Sequence, residues 1–230
     1  MQQGDIVSYG EICMQEGVTL QRGMNFRLKG KSSVILMSVR KGAPYADRLE
    51  DDGRVLIYEG HDVPRRKDGP DPKTVDQTAY TDGGTITENG RFFEAACRFK
   101  NGQAEPERVR VYEKLRPGIW AYNGLFRLAD AWQEQAGIRS VFKFRLELID
   151  QLPQGEHDGA LELDHSRVIP SAVKLEVWRR DKARCVMCGA RENLHFDHII
   201  PHSKGGSSLV SENVQLLCAR HNLEKHDRIE

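Results

Sequence analysis

Apolar residues in the first two thirds of the chain fall in short β-branched blocks or alternate with polar ones, which predicts strands rather than helices. Ser33 to Val39 is a continuous block of the buried-strand kind, and Val55 to Tyr58 is a second. Val109 and Val111 alternate with charges in a third strand, and Leu125 to Leu128 lies in a fourth. Over Val141 to Ile149, Phe142, Phe144, Leu146 and Leu148 share one face. Helical spacing is confined to Phe92, Phe93, Ala96 and Cys97, so residues 91–100 are predicted as a short helix. Gly17 to Gly23 reads as a loop, Ala43-Pro44-Tyr45 and Asp51-Asp52-Gly53 as turns, and Asn123-Gly124 is a turn pair in its own right. The polar stretch from His61 to Tyr80 is predicted to be an exposed loop. Five or more strands with few helices point to an α+β class whose first part is a β-barrel or strongly bent sheet with flanking short helices.

The pattern changes near residue 150. Gln151 to Ser166 carries Pro153, Gly155, Gly159 and several acids, so the expected division is a domain over 1–150, a linker over 151–166 and a second domain over 167–230. Ile169-Pro170-Ser171 is predicted to open a helix with Ser171 as N-cap. Val173, Val177 and Trp178 line one face of it, and Arg179-Arg180 are expected near a phosphate.

The second domain holds the strongest chemical signal. Cys185/Cys188 and Cys218/His221 each leave two residues between ligands, the spacing at which a tight turn aims both side chains at one tetrahedral ion. Four such ligands leave no open position, so the expected Zn2+ is structural. Between the turns, Leu194 to Phe196 is a short extended run delivering Asp197 and His198. A loop with Gly205-Gly206 follows, then Asn213, an apolar run Val214 to Leu217, and Asn222 in a closing helix. A hairpin followed by a helix gathers Asp197, His198, Asn213 and Asn222 on one face. His195, alternating with Asp197, is placed beside them.

These residues resemble the ββα-metal fold of the HNH nucleases over about sixty residues. The resemblance implies that His198 is the general base, that Asp197 and Asn222 hold one divalent ion, and that Asn213 braces the loop and orients the base. An oxygen-rich donor set implies Mg2+ or Mn2+ for that ion. Two positions depart from the common pattern: His221 stands where many relatives have Cys, and Asn222 stands where the motif often ends in His.

The first domain resembles the SRA (SET and RING associated) fold, which binds DNA and flips out a modified cytosine. The resemblance rests on Ser33 to Gly60, with its Asp51-Asp52-Gly53 turn and Tyr58-Glu59-Gly60, and on Tyr122-Asn123-Gly124-Leu125-Phe126-Arg127-Leu128 followed by Trp132. Asn123 replaces the Asp of the family's Tyr-Asp-Gly signature. The resemblance implies that Tyr45 and Tyr58 sandwich the extruded base, that Asp47 accepts its exocyclic amine, and that Leu20, Gln21 and Arg22 together with Arg65, Arg66 and Lys67 enter the DNA grooves.

Composition changes this picture in three ways. Lys+Arg and Asp+Glu both number 34, so DNA affinity must come from local patches and shape rather than a basic field. Cys13 and Cys97 have no evident disulfide partner, which fits a reducing cytoplasm, and the resemblances above imply a prokaryotic one. No long apolar span predicts a membrane helix. Joined, the two resemblances imply a modification-dependent (type IV) restriction endonuclease acting on double-stranded DNA with modified cytosine, and, if both strands are cut, a homodimer or two monomers converging on one target. Two other readings stay open: an HNH nicking or homing-type endonuclease indifferent to modification, and a non-cutting reader whose zinc module is only structural.

Overall fold

The computed structural model describes residues 1–20, 23–149, 168–201 and 204–225. Gln21, Arg22 and the expected linker 151–166 lie outside the described residues.

The chain opens with β1 (Ile6–Ser8) and α1 (Tyr9–Glu16), a helix that apolar periodicity does not signal. Its ends explain it. The Glu11 amide donates to the Ser8 hydroxyl while the Ser8 amide donates to the Glu11 carboxylate, and Gly17 closes the helix at φ 68°.

Strands β2 (Met24–Asn25), β3 (Ser33–Met37), β4 (Arg48–Glu50), β5 (Val55–Glu59), β6 (Arg108–Arg116), β7 (Ile119–Ala136) and β8 (Arg139–Leu148) join β1 in an eight-stranded sheet. The order is β2-β3-β6-β7-β8-β5-β4, with β1 paired to β7. Of the two expected forms, barrel or bent sheet, the described strands make an open sheet whose path ends at β2 and β4. Among the described residues only β3 and β6 pair in parallel, which requires a long crossover. The chain provides it through β4, β5 and α2 (Glu88–Lys100). Thr87 caps α2 by accepting the Gly90 amide, so the helix begins before the expected residue 91. Phe92 and Ala96 of α2 enter a core with Leu56, Tyr58, Phe126 and Phe144.

The stretch after β5 is less exposed than its polarity predicts. Gln77 is buried, donating to the Gly60 carbonyl at 2.6 Å and accepting the Phe142 amide at 2.9 Å. Asp62 is held by Arg139 and by Lys73.

Asn123-Gly124 is not a turn. Val111 pairs with Gly124 and Tyr112 with Tyr122, so Asn123 is the extra residue of a β-bulge inside β7, with Gly124 at φ 112°. The bulge turns the Asn123 side chain inward, where it is 1% exposed.

The remaining elements are α3 (Ser171–Arg180), the hairpin β9 (Leu194–His198) and β10 (Val214–Cys218), and α4 (Ala219–Lys225). Pro170, not Ser171, occupies the N-cap position of α3. Ser171 is already helical, so its hydroxyl cannot cap, and that hydroxyl is buried without a hydrogen-bond partner.

This C-terminal module is built onto the large sheet. Val173, Val177, Phe196 and Leu216 share a buried cluster with Leu115 of β6 and Ala121 of β7. Gly4, at the head of β1, donates to the Tyr122 carbonyl at 2.9 Å and accepts the Phe196 amide at 3.1 Å, linking the two sheets through one residue. A Cβ on Gly4 would sit 2.9 Å from the Phe196 carbonyl oxygen, so the close approach requires glycine. Beneath this junction, Lys174 of α3 donates to Glu113 at 2.7 Å and to Asn123 at 2.6 Å, and all three side chains are buried.

Candidate functional site

Two constellations bear chemistry. In the first, β9 ends by delivering Asp197 and His198, β10 carries Gln215 opposite Asp197, and α4 packs across both strands. The Lys225 ammonium, buried at the end of α4, lies 2.9 Å from Asp197 Oδ2 and donates to the His198 carbonyl at 2.6 Å. Asn222 stands one turn earlier on the same face of α4, half-buried. The end of α4 thus meets Asp197 and His198 through Lys225, one turn after Asn222.

Asn213 braces the loop with its side chain. The Ile200 amide donates to its carbonyl oxygen at 2.8 Å, and its amide donates to the carbonyls of Ile200 and Ser207 at 3.0 Å each. Gly206 is required beneath it, since a Cβ there would lie 1.8 Å from the Ile200 carbonyl oxygen. The His198 ring meets the Ser208 hydroxyl, with Nε2 at 2.8 Å. Ser208 carries no local signal in the sequence, because its approach depends on the Asn213 brace folding the loop back over β9.

His195 is taken up by the large sheet. Its Nδ1 meets Asp5 at 2.7 Å, so it belongs to the junction with the large sheet. Arg180 is likewise not directed at a phosphate: it donates to the carbonyls of Ser211 and Val214 and pairs with Asp181 at 2.7 Å.

Cys185, Cys188, Cys218 and His221 bring their ligand atoms within 4.8 Å of one another. His221 Nδ1 lies 3.3 Å from Cys185 Sγ and 3.4 Å from Cys218 Sγ, and the Cys188 and Cys218 sulfurs are 3.9 Å apart. A tetrahedral zinc with Zn–S of about 2.3 Å and Zn–N of about 2.0 Å requires ligand edges of roughly 3.5–3.8 Å, so this donor set fits the ion. Burial raises the Cys185 thiol, but backbone amides at Cys218 and Cys188 and the His221 ring outweigh it and bring the group down to about 6, favouring the thiolate a metal needs.

The second constellation is a cavity of about 650 Å³ at the ends of β3 and β5, lined by Tyr45, Asp47, Tyr58, His61, Leu36 and Trp120 among others. That volume is within the range of small-molecule pockets, roughly 300–1,000 Å³. Asp47 accepts the Ser38 amide on one oxygen and the Glu59 amide on the other, both at 3.1 Å. Burial pushes its carboxyl up to about 6 against the pull of those amides. Tyr45 is half-buried, with the Lys73 ammonium 4.2 Å from its ring centroid. Tyr58 is only 1% exposed and belongs to the main core, reaching the cavity with its edge. His61, which sequence reasoning passed over as part of a polar loop, stacks on Tyr45 at 5.2 Å and 15°.

The expected groove loops fare differently. Leu20 is 3% exposed within a core cluster and its carbonyl accepts the Tyr9 hydroxyl, so it does not probe DNA. Gln21 and Arg22 lie outside the described residues. Arg65, Arg66 and Lys67 are exposed, with Arg66 paired to Asp82 at 2.7 Å.

Residues 185–228 match the family model described as HNH endonuclease. The C-terminal module is an HNH domain. Its family is one of nucleases. The chain is also similar to solved SRA structures. The SUVH5 SRA domain in complex with hemimethylated CG DNA is 22% identical, with a TM-score of 0.47 over 68% of this chain and 94% of that one. The SUVH5 SRA domain bound to fully hydroxymethylated CG DNA is 23% identical, with a TM-score of 0.44 over 68% of this chain and 91% of that one. Arabidopsis thaliana SUVH6 in complex with SAM is 21% identical, with a TM-score of 0.41 over 67% of this chain and 26% of that one. No curated protein sequence matches the chain. No described helix is long and apolar enough to cross a membrane.

Proposed function

We propose that the chain is a modification-dependent endodeoxyribonuclease, of the type IV restriction kind, that holds an extruded modified cytosine in the large-sheet cavity and cuts a phosphodiester nearby with its HNH centre. The observation that carries this reading is the presence on one continuous scaffold of an HNH hairpin and helix and an aromatic cavity with a carboxylate at its wall.

The chemistry follows from the residues. A phosphodiester resists attack because it is anionic and its leaving oxygen is a poor one; a hard divalent cation supplies the compensating charge. Asp197 and Asn222 are the oxygen donors suited to Mg2+ or Mn2+, and Asp197 already attracts one cation, the Lys225 ammonium. His198, held at Nε2 by Ser208, takes the proton of the attacking water. Asn213 keeps the loop folded so that Ser208 stays against the ring. In the cavity, Tyr45 and Tyr58 offer aromatic surface to the base and Asp47 accepts its exocyclic amine.

One such centre cuts one strand. Because the HNH domain shares a buried cluster with the large sheet, the cut falls at a set offset from the read base rather than over the range a free linker would allow. The test is digestion of one plasmid prepared with and without 5-methylcytosine, in Mg2+, by the wild type and by His198→Ala. Faster cleavage of the methylated plasmid, lost in the variant, supports the proposal. Equal cleavage of both plasmids favours an HNH enzyme indifferent to modification, and cleavage by the variant removes His198 as base.

A further inference from the structure

The imidazole of His61 lies between the two tyrosines of the cavity. It stacks on Tyr45 with centroids 5.2 Å apart and planes 15° from parallel, and its centroid is 6.2 Å from that of Tyr58, tilted by 51°. The Tyr58 hydroxyl meets His61 Nε2 at 2.9 Å. A planar heteroaromatic ring, stacked on one tyrosine and edged by the other, is what an extruded cytosine would be in the same place. Two parallel rings need about 3.5–4.0 Å between contacting atoms, so a ring already stacked on Tyr45 leaves no gap for a second on that face.

The backbone at this point is fixed while the side chain is not covalently restrained. Asn89, on α2, accepts the His61 amide and donates to the His61 carbonyl, both at 2.8 Å, and Asn89 is 3% exposed. Gly60 packs so tightly that a Cβ would lie 2.7 Å from both Asn89 Oδ1 and Gln77 Oε1. Any movement of the imidazole is therefore a rotation about its own side-chain bonds, without a loop rearrangement.

We propose that His61 is a placeholder for the extruded base: its ring fills the stacking place on Tyr45 in the DNA-free protein and swings out when the modified nucleotide enters. This rests on the base-pocket reading above. It makes His61 an affinity-setting residue of the pocket, because any base that enters must displace the imidazole.

The test is equilibrium binding of the full chain, without added divalent cation, to a fluorescent duplex carrying one 5-methylcytosine and to its unmodified counterpart. Wild type is compared with His61→Ala, and zinc content and melting temperature report folding. Losing one stacked pair and one hydrogen bond from the free protein should tighten binding to the methylated duplex by about tenfold. The unmodified duplex should gain by the same factor wherever its base enters the pocket, since the imidazole is displaced at the same cost by either base. His61→Asn, which keeps a polar group but cannot stack, should move the same way and serves if the alanine variant does not fold. Unchanged or weaker binding in the folded variant overturns the placeholder and makes His61 a permanent wall of the pocket. A wild type that binds both duplexes equally overturns the base pocket itself, and the placeholder with it.

Discussion

Replacing Lys174 by Met tests how firmly the HNH domain is held to the large sheet. The Lys174 side chain is 2% exposed and that of Glu113 is 1% exposed, with 2.7 Å between ammonium and carboxylate. Lys174 also donates to Asn123 at 2.6 Å, and Asn123 in turn donates to Glu113 at 3.0 Å. Methionine matches the length of the lysine stem but removes its charge, leaving Glu113 buried with one neutral donor and Asn123 with an unmet carbonyl. Breaking a buried pair from one side costs about 3–5 kcal/mol, mostly from the stranded charge. With a urea slope of about 3 kcal/mol/M, the unfolding midpoint should fall by roughly 1–1.7 M. Adding Glu113→Gln to Lys174→Met removes the stranded charge and should recover at least half of that loss, which a double-mutant cycle measures directly. A single-variant shift under about 0.3 M, or no recovery in the double variant, would refute the reasoning. Mapping cut positions on a methylated duplex gives a second readout: the narrow set expected of wild type should broaden in the single variant.

Three further outcomes follow from the geometry. Cys188→Ala should lose zinc, measured by atomic absorption, and leave the HNH segment open to limited proteolysis, whereas a folded variant with full zinc would contradict the four-ligand site. Ser208→Ala should lower kcat by about 10- to 100-fold with DNA affinity unchanged, since it frees the His198 ring from its 2.8 Å partner; an unchanged kcat would show that the hydroxyl does not hold the base. The carboxyl of Asp47 is raised to about 6 by burial, so between its unfolded value of 3.8 and about 6 the native state binds the extra proton. That contribution is present below the unfolded value and lost as pH rises through about 6, so the melting temperature of wild type relative to Asp47→Asn should rise when pH is lowered from 7 to 5; a flat difference would contradict the shift.

What could be read from the sequence was what is encoded locally. The zinc turns are two short spacings, Asp197 and His198 are adjacent, and β3, β5 and β8 are apolar blocks whose burial needs no partner to be guessed. Signals that depend on a distant element were lost or misread. Asn123-Gly124 has the composition of a turn, yet pairing with β6 makes it a bulge, and only the approach of Lys174 from α3 explains a polar residue there. Leu20 looks like an exposed loop tip until α1 and Trp120 bury it, and α1 itself announces its start only through Ser8 and Glu11. His61 sits among prolines and charges, and nothing near it in sequence reveals that Asn89 clamps its backbone beside Tyr45. Ser171 met the composition rule for a cap, but the fixed φ of Pro170 starts the helix one residue earlier.

The central claim is that one chain couples recognition of a modified base to cleavage by His198. Its most direct measurement is the rate of strand cleavage on two otherwise identical duplexes, one with 5-methylcytosine and one without, with Mg2+ present. A buried methyl contributes about 0.8 kcal/mol, roughly fourfold, so a single pocket should give a clear but incomplete preference for the methylated duplex. The same preference should vanish in Tyr45→Ala, whose rates on the two duplexes should be equal. Equal rates on both duplexes with the wild type would contradict the account.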